Sequence, residues 1–281
     1  MMYRIEKVLN HNTVMAIHQD DHKEVLIMGK GVGFGRKVAE RIEVRPEDRL
    51  YSLQKYKERG GAKEIVKSIA PEFLEVTNAV LDEAEKIFGK IDRMVLFPLA
   101  DHIAFAVKRI QNHEQISNPL TEDIRVLFHM EFKAAESIRP LLQKQFGIDI
   151  EDDEVGYVAL HIHSAIEDEK VSQAMQMARS VRECISMVEE AIGKPIDIAS
   201  LSYNRLMNHI RSMVARAVTG EMLKVDLNRF IEQNYPDSFS LAKEICMKLG
   251  HELKHGFSEN EVGYLAVHIE QIKCDEMLGE E

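Results

Sequence analysis

The nonapeptide E-V-G-Y-V-A-L-H-I at 154–162 returns as E-V-G-Y-L-A-V-H-I at 261–269, with seven of nine residues identical. The offset of 107 residues also carries Leu99, His102, Ile103, Val107 and Arg109 onto Leu206, His209, Ile210, Val214 and Arg216. A fixed period marks a repeated structural unit, and this period is about one domain long. Each copy keeps two histidines in matching places. The chain is therefore expected to hold two homologous bundles, each with a pair of imidazoles.

At 281 residues there is room for about two domains, and a third if it is small. No apolar run approaches the length needed to span a membrane, and the first residues lack the apolar stretch of a secretory signal. Cys184, Cys246 and Cys274 have neither C-x-x-C spacing nor an even count for disulfides, which fits a reducing cytoplasm. Residues 1–55 carry ten Lys/Arg against eight Asp/Glu, while the whole chain carries 36 against 47. The acidic total argues against a general nucleic-acid coat, because phosphates repel it. A small RNA-binding head at the N-terminus stays open.

Residues 3–54 read as a small all-β antiparallel domain. Short β-prone runs at Val8–Leu9, Thr13–Ile17, Glu24–Met28 and Arg41–Val44 are divided by polar breaks and by the glycine-rich bend Gly29–Gly35. Composition switches over 55–63. Beyond residue 65 apolar residues recur at helical spacing, with helices expected over 74–88, 98–111, 120–130, 134–145 and 152–166. The second copy repeats them over 175–192, 203–217, 225–233, 238–253 and 258–273. Gly89 reads as a helix stop, and Pro98 suits a first turn. The expected architecture is thus multidomain, an all-β head over 1–58 followed by two homologous all-α helical bundles over 65–171 and 172–281.

On a helix, positions i, i+3 and i+7 share a face, so Glu154, Tyr157 and His161 form one stripe, as do Glu261, Tyr264 and His268. His102 shares a face with Phe105 and Arg109, and His209 with Arg216. A neutral imidazole is a nucleophile suited to accept a phosphoryl group, and the arginine seven residues on offsets the charge gained. A single helical histidine near Glu and Tyr is commonly just a hydrogen-bonded, half-buried residue. Four in two matched pairs favour chemistry. A metal reading fares worse, because His161-x-His163 does not repeat: Glu270 stands opposite His163.

An enzyme-class alternative comes from His251-Glu252-Leu253-Lys254-His255, which matches the H-E-x-x-H motif of zinc peptidases. Gly256 follows at once, placing the second histidine at a helix end where a cation suits the dipole. The first copy has none of these residues at the matching stretch.

In the head, Gly29–Gly35 lacks the Gly-Lys-Ser/Thr of a nucleotide-binding loop. It does mix Lys30, Phe34, Arg36 and Lys37 among glycines. Glycine permits close backbone approach, an aromatic ring stacks on an unpaired base, and cations meet phosphates. The amides of Asn10 and Asn12 are suited to reading base edges.

Together these features resemble the BglG/SacY family of transcriptional antiterminators over nearly the whole chain. Residues 7–12 (KVLNHN) and 28–37 (MGKGVGFGRK) look like the two motifs of its RNA-binding domain. A-D-H-I-A-F-A at 100–106 and the two V-G-Y helices look like its two phosphotransferase-system regulation domains. The resemblance implies a β-domain that forms a homodimer and grips a leader-mRNA hairpin, so that a terminator does not form and a sugar-utilisation operon is transcribed. It places RNA contacts on Lys7, Asn10, Asn12, Gly29, Lys30, Gly31, Phe34 and Arg36. Phosphoacceptors fall on His102, His161, His209 and His268. The implied partners are HPr and a sugar-specific enzyme II, with no metal, no cofactor, no membrane insertion and a cytoplasmic location. The stretches at 100–106 and 159–165 look closer to glucose-type members than to β-glucoside ones. One departure is that Asp101 precedes His102 while Asn208 precedes His209, so an acid able to orient the first imidazole is missing from the second copy.

Overall fold

The computed structural model describes residues 2–53, 61–114, 116–167, 170–198, 200–254 and 256–278. Most of the compositional switch at 55–63 lies outside them. Five strands come first: β1 (Met2–Asn10), β2 (Thr13–His18), β3 (Glu24–Met28), β4 (Arg41–Glu43) and β5 (Arg49–Ser52). Helices follow: α1 (Gly61–Ser68), α2 (Pro71–Phe88), α3 (Leu96–Gln111), α4 (Thr121–Leu127), α5 (His129–Ala135), α6 (Ile138–Phe146) and α7 (Asp152–Glu167). The second copy supplies α8 (Val171–Ile192), α9 (Leu201–Thr219), α10 (Asn228–Asn234), α11 (Pro236–Leu253) and α12 (Glu259–Leu278). Contacts divide the chain into two compact units, Met1–Ser117 with Met130–Lys170, and Asn118–His129 with Val171–Glu281.

In the first unit the strands form one antiparallel sheet in the order β4-β1-β2-β3-β5. Side chains alternate across a strand, and both faces here are buried. One face gathers Tyr3, Ile5, Val14, Ala16, Val25 and Ile27 into a core with Val32 and Ile42. The other carries the cross-strand row Met15–Leu26–Tyr51, all buried. Tyr51 meets Phe97 of α3 edge-on at 6.0 Å and donates from its hydroxyl to Asn78 of α2. Two-sided burial explains why β2 and β3 read as continuous apolar runs. The fifth strand is not legible in the sequence, because Arg49, Leu50 and Ser52 flank a single inward-facing Tyr51.

The helices follow their punctuation. Pro71 opens α2 and Gly89 closes it at φ 75°. The expected helices at 120–130 and 134–145 differ from what forms. α5 and α6 split at Glu136–Ser137, because Pro140 has no N–H for the Glu136 carbonyl and its ring crowds that oxygen. Tighter bonds take over there, from Ser137 N–H to Ala134 O and from Arg139 N–H to Glu136 O. The second copy has Met247 at the matching position, and α11 runs unbroken.

In the second unit α10 packs on α11 and α12. Asn228 joins α10 to the first turns of α12, its Nδ2 donating to Glu259 O and its Oδ1 accepting from Gly263 N–H. A Cβ at Gly263 would stand 2.6 Å from that Oδ1, so the second copy needs glycine there. Although α4 is the sequence counterpart of α10 at the same 107-residue offset, it packs on α8 and α9 of the second unit. The Tyr203 hydroxyl of α9 donates to Asp123 Oδ1 of α4 at 2.9 Å, with both residues buried.

Candidate functional sites

The seven-residue spacing on α3 puts His102 and Arg109 on one face, toward the Glu154–Tyr157–His161 stripe of α7. Arg109 Nη2 donates to Glu154 Oε1 at 2.6 Å, and His102 Nε2 lies 3.4 Å from Glu154 Oε2. The His102 ring centroid is 5.4 Å from those of both Tyr157 and His161. Arg109 also covers the Phe105 ring at 4.6 Å.

The second unit builds the same constellation from α9 and α12. Arg216 grips Glu261 with two bonds, Nε at 2.7 Å and Nη2 at 2.8 Å. His209 Nε2 lies 3.9 Å from Glu261 Oε2, and its ring is 4.6 Å from His268 and parallel to Tyr264 at 6.4 Å. In both copies the same buried ring atoms have no hydrogen-bond partner: Nε2 of His102 and His209, and Nδ1 of His161 and His268. The carboxylate at the first imidazole is therefore common to both copies. The Asp101/Asn208 difference lies at exposed positions beside it, so the acid does not disappear from the second copy as the sequence alone suggested.

Burial sets the protonation of these rings. It pushes His161 down to about 3, helped by the charge of neighbouring His102. His209 is pushed down to about 3 by burial, then by His268 and Arg216. His268 is lowered by burial, then by Arg205. Burial would raise Glu154, but the nearby His102 imidazole and the Arg109 hydrogen bond outweigh it and the carboxyl sits below its usual range. At neutral pH, then, three of the imidazoles are neutral beside carboxylates held by arginine. Neutral rings with an unpartnered nitrogen are the nucleophilic form.

His163 is a different case. Its Nδ1 lies 3.0 Å from Glu131 Oε1, and in the second copy Ser238 donates to Glu270 at 2.6 Å. Acid and partner have exchanged helices, which is a packing solution, not a ligand set. Of the peptidase-like stretch, His251 and Glu252 lie in the last turn of α11, and Lys254 ends the helix in the left-handed region at φ 56°. His255 lies outside the described residues, among which no group of three metal-ligating side chains occurs.

In the head, the β1–β2 turn and the glycine-rich loop are knitted into one surface. Asn10 Oδ1 accepts from Asn12 N–H, Asn12 Oδ1 accepts from Gly31 N–H, and Asn12 O accepts from Gly29 N–H. Gly33 N–H donates to His11 O, and a Cβ there would come within 2.2 Å of Asn10 O. His11 meets Phe34 edge-on at 5.2 Å, and Phe34 is 69% exposed. So Asn10, Asn12, Gly29, Lys30, Gly31 and Phe34 are brought together, with the two amide oxygens serving the loop instead of standing free. Lys7 is exposed further back on β1, and Arg36 pairs with Glu40 at 3.7 Å. Three participants escaped sequence reasoning: Arg45 and Asp48 behind the loop, and Glu75 of α2, whose Oε1 accepts from Asn10 Nδ2 at 2.8 Å. Asn12, Gly29 and Lys30 also line a cavity of about 530 Å³ with Glu75, Asn78 and Asp82. Long-range contacts of this kind leave no local pattern.

Comparison with known proteins bears on both sites. The model for the PRD domain matches residues 74–165 and 182–272, and that for the CAT RNA binding domain matches residues 3–60. The chain is 29% identical over 273 residues to the GlcA/glcB genes antiterminator of Staphylococcus carnosus (strain TM300), covering 95% of this chain and 94% of that one. It is 27% identical over 274 residues to protein GlcT of Staphylococcus epidermidis, covering 95% of each. Among solved structures it is similar to GlcT CAT-PRDI, with a TM-score of 0.52 and 28% identity over 59% of this chain and 99% of that one.

Proposed function

Because this chain belongs to the BglG/SacY family of transcriptional antiterminators, carrying an RNA-binding CAT domain and two PRD domains, we propose that it binds a leader-mRNA hairpin and is switched by phosphorylation of His102, His161, His209 and His268. The RNA contacts are assigned to Lys7, Asn10, Asn12, Gly29, Lys30, Gly31, Phe34 and Arg36. The functional segments are 1–58, 65–171 and 172–281, and the working form is a cytoplasmic homodimer. HPr and a sugar-specific enzyme II are the phosphoryl donors.

The observation that carries the reading is the paired, buried and half-buried histidines beside an arginine-held glutamate, built twice. In each transfer the bond from phosphorus to the donor's nitrogen or sulfur breaks as an N–P bond to the acceptor imidazole forms, and the acceptor's ring proton leaves to the donor atom or to solvent. The product carries roughly −1.5 to −2 charges. At His102 that charge would stand beside Glu154, which Arg109 holds as its cationic partner. The arginine must then choose between carboxylate and phosphoryl group, and the α3–α7 contact reorganises. Binding of RNA by a dimer makes affinity sensitive to such a change.

The test is labelled phosphoryl transfer from phosphoenolpyruvate through enzyme I and HPr, with and without enzyme II. Acid-labile, base-stable label on the intact chain, lost stepwise in His→Ala variants, is the expected result. No label with active carriers would make the histidines structural.

A further inference from the structure

Between β4 and β5 the chain makes a tight turn that faces the back of the glycine-rich loop. Asp48 closes it. Its side chain is fully buried, Oδ2 accepts from Arg45 N–H at 2.9 Å and from Arg45 Nε at 3.1 Å, and Oδ1 accepts from Arg45 Nη2 at 2.7 Å. Asp48 N–H returns a bond to Arg45 O at 3.0 Å. The carboxylate is packed directly against the loop: a Cβ placed on Gly29 would stand 1.9 Å from Asp48 Oδ1. The same Arg45 Nη2 that holds Asp48 also donates to Lys30 O at 2.8 Å. One guanidinium thus joins the turn to the loop, and one carboxylate fixes the distance between them.

We propose that Asp48 and Arg45 are positioning residues for RNA recognition, a rigid brace that sets the backbone of Gly29–Lys30–Gly31 from behind while Asn12 sets it from the front. The inference rests on the RNA-binding reading above and extends it to two residues outside the two sequence motifs. From the front, Asn12 holds Gly29 N–H with its carbonyl and Gly31 N–H with its side chain. Gly31 itself stands at φ 71°, a conformation that strains any residue with a Cβ. A loop built of three glycines within five residues has little stiffness of its own. Ordering it only on binding would cost conformational entropy, and a preset loop avoids that cost. A planar fork suits this position because it satisfies two carboxylate oxygens and a carbonyl at once, which an ammonium cannot do in the same plane. Glu47 lies 3.5 Å from Arg45 Nε, so the cation is shared on its outer side as well.

The probe is an RNA hairpin enriched from a random-loop pool by the wild-type full chain. Affinity is measured at several salt concentrations for wild type, Asp48→Asn, Arg45→Lys and Arg45→Gln, with amide hydrogen exchange of residues 29–31 and thermal unfolding alongside. The expected result is binding weaker by about tenfold or more in Asp48→Asn and in Arg45→Lys, the scale of a lost charge-assisted network. Their slope of log affinity against log salt should match wild type, with faster exchange at Gly29 and Gly31 and protected amides retained in β1–β3. Arg45→Lys is decisive because the residue is surface-accessible and the substitution keeps the charge. A direct phosphate contact would survive it, and Arg45→Gln would then lower the salt slope by about one charge. Wild-type affinity in a folded Asp48→Asn, or affinity that falls only in step with unfolding temperature, would overturn the positioning role alone. A wild-type chain that enriches no hairpin would overturn the RNA reading and this role together.

Discussion

The amide of Asn10 and the carboxylate of Glu75, 65 residues apart in the chain, are joined by a hydrogen bond of 2.8 Å. Asn10 ends β1 at the β1–β2 turn, and Glu75 belongs to α2, within the first PRD domain. On the proposed RNA reading, this carboxylate stands beside an assigned RNA contact. Arg49 is drawn the same way, toward Asp82 and Glu85 of that helix. Glu75→Gln keeps an acceptor for Asn10 and removes the charge, so hairpin affinity at low salt should rise roughly 3- to 10-fold, about the effect of one screened charge. Fluorescence anisotropy at two ionic strengths would check it, and equal affinities at both would count against an electrostatic role.

His102→Ala or His161→Ala should free RNA binding from sugar control, because the first PRD domain then lacks one of its two proposed phosphoacceptors. A transcriptional reporter read with and without the inducing sugar measures this directly. Unchanged sugar dependence in the double variant would refute the assignment.

Arg216→Ala should destabilise the second PRD domain by about 3–5 kcal/mol, the usual cost of leaving one member of a buried pair alone. Glu261 is only 2% exposed and takes both of its strong bonds from that guanidinium. Denaturant unfolding monitored on the full chain provides the measurement, with Arg216→Lys recovering part of the loss.

Acidification should weaken the fold earlier than carboxylates alone would require. His161 and His209 are held near 3 in the folded chain, well below the ordinary 6.5. Between those values the unfolded chain binds more protons, so stability is present above about 6.5 and drains away as pH falls toward 3. The lowered Glu154 adds to the loss only below its own ordinary 4.5. Unfolding temperature should therefore drop between pH 7 and pH 5, and His161→Gln or His209→Gln should flatten that slope.

Tyr203→Phe removes the donor from Asp123, a buried carboxyl whose pKa burial already raises. A cost of about 1–3 kcal/mol is expected, confined at first to the docking of α4. Hydrogen exchange should show residues 121–127 opening ahead of α9.

The sequence carried more of this protein than is usual, and the reason is the duplication. A repeat of 107 residues states twice which positions matter, so His102, His161, His209 and His268 stand out before any contact is known. Helical and strand periods are local, and they mark the faces and most of the elements. Local signals also account for the misses. β5 is a strand because Leu26 and Tyr51 need each other across the sheet, and α5 separates from α6 because Pro140 withholds one donor.

What the chain alone determined was the order of the parts: an all-β head, two helical copies, and in each copy two histidines with an arginine and a glutamate at fixed spacings. Only the tertiary structure decided which groups meet. It put Glu154 and Glu261 against imidazoles 52 residues away, grouped α4 with the second copy through Tyr203, set Asp48 behind Gly29, and laid Glu75 on Asn10. Periodicity fixes the face on which a side chain sits. Its partner depends on how helices and loops pack, and only that packing removes the water that would otherwise separate these charges.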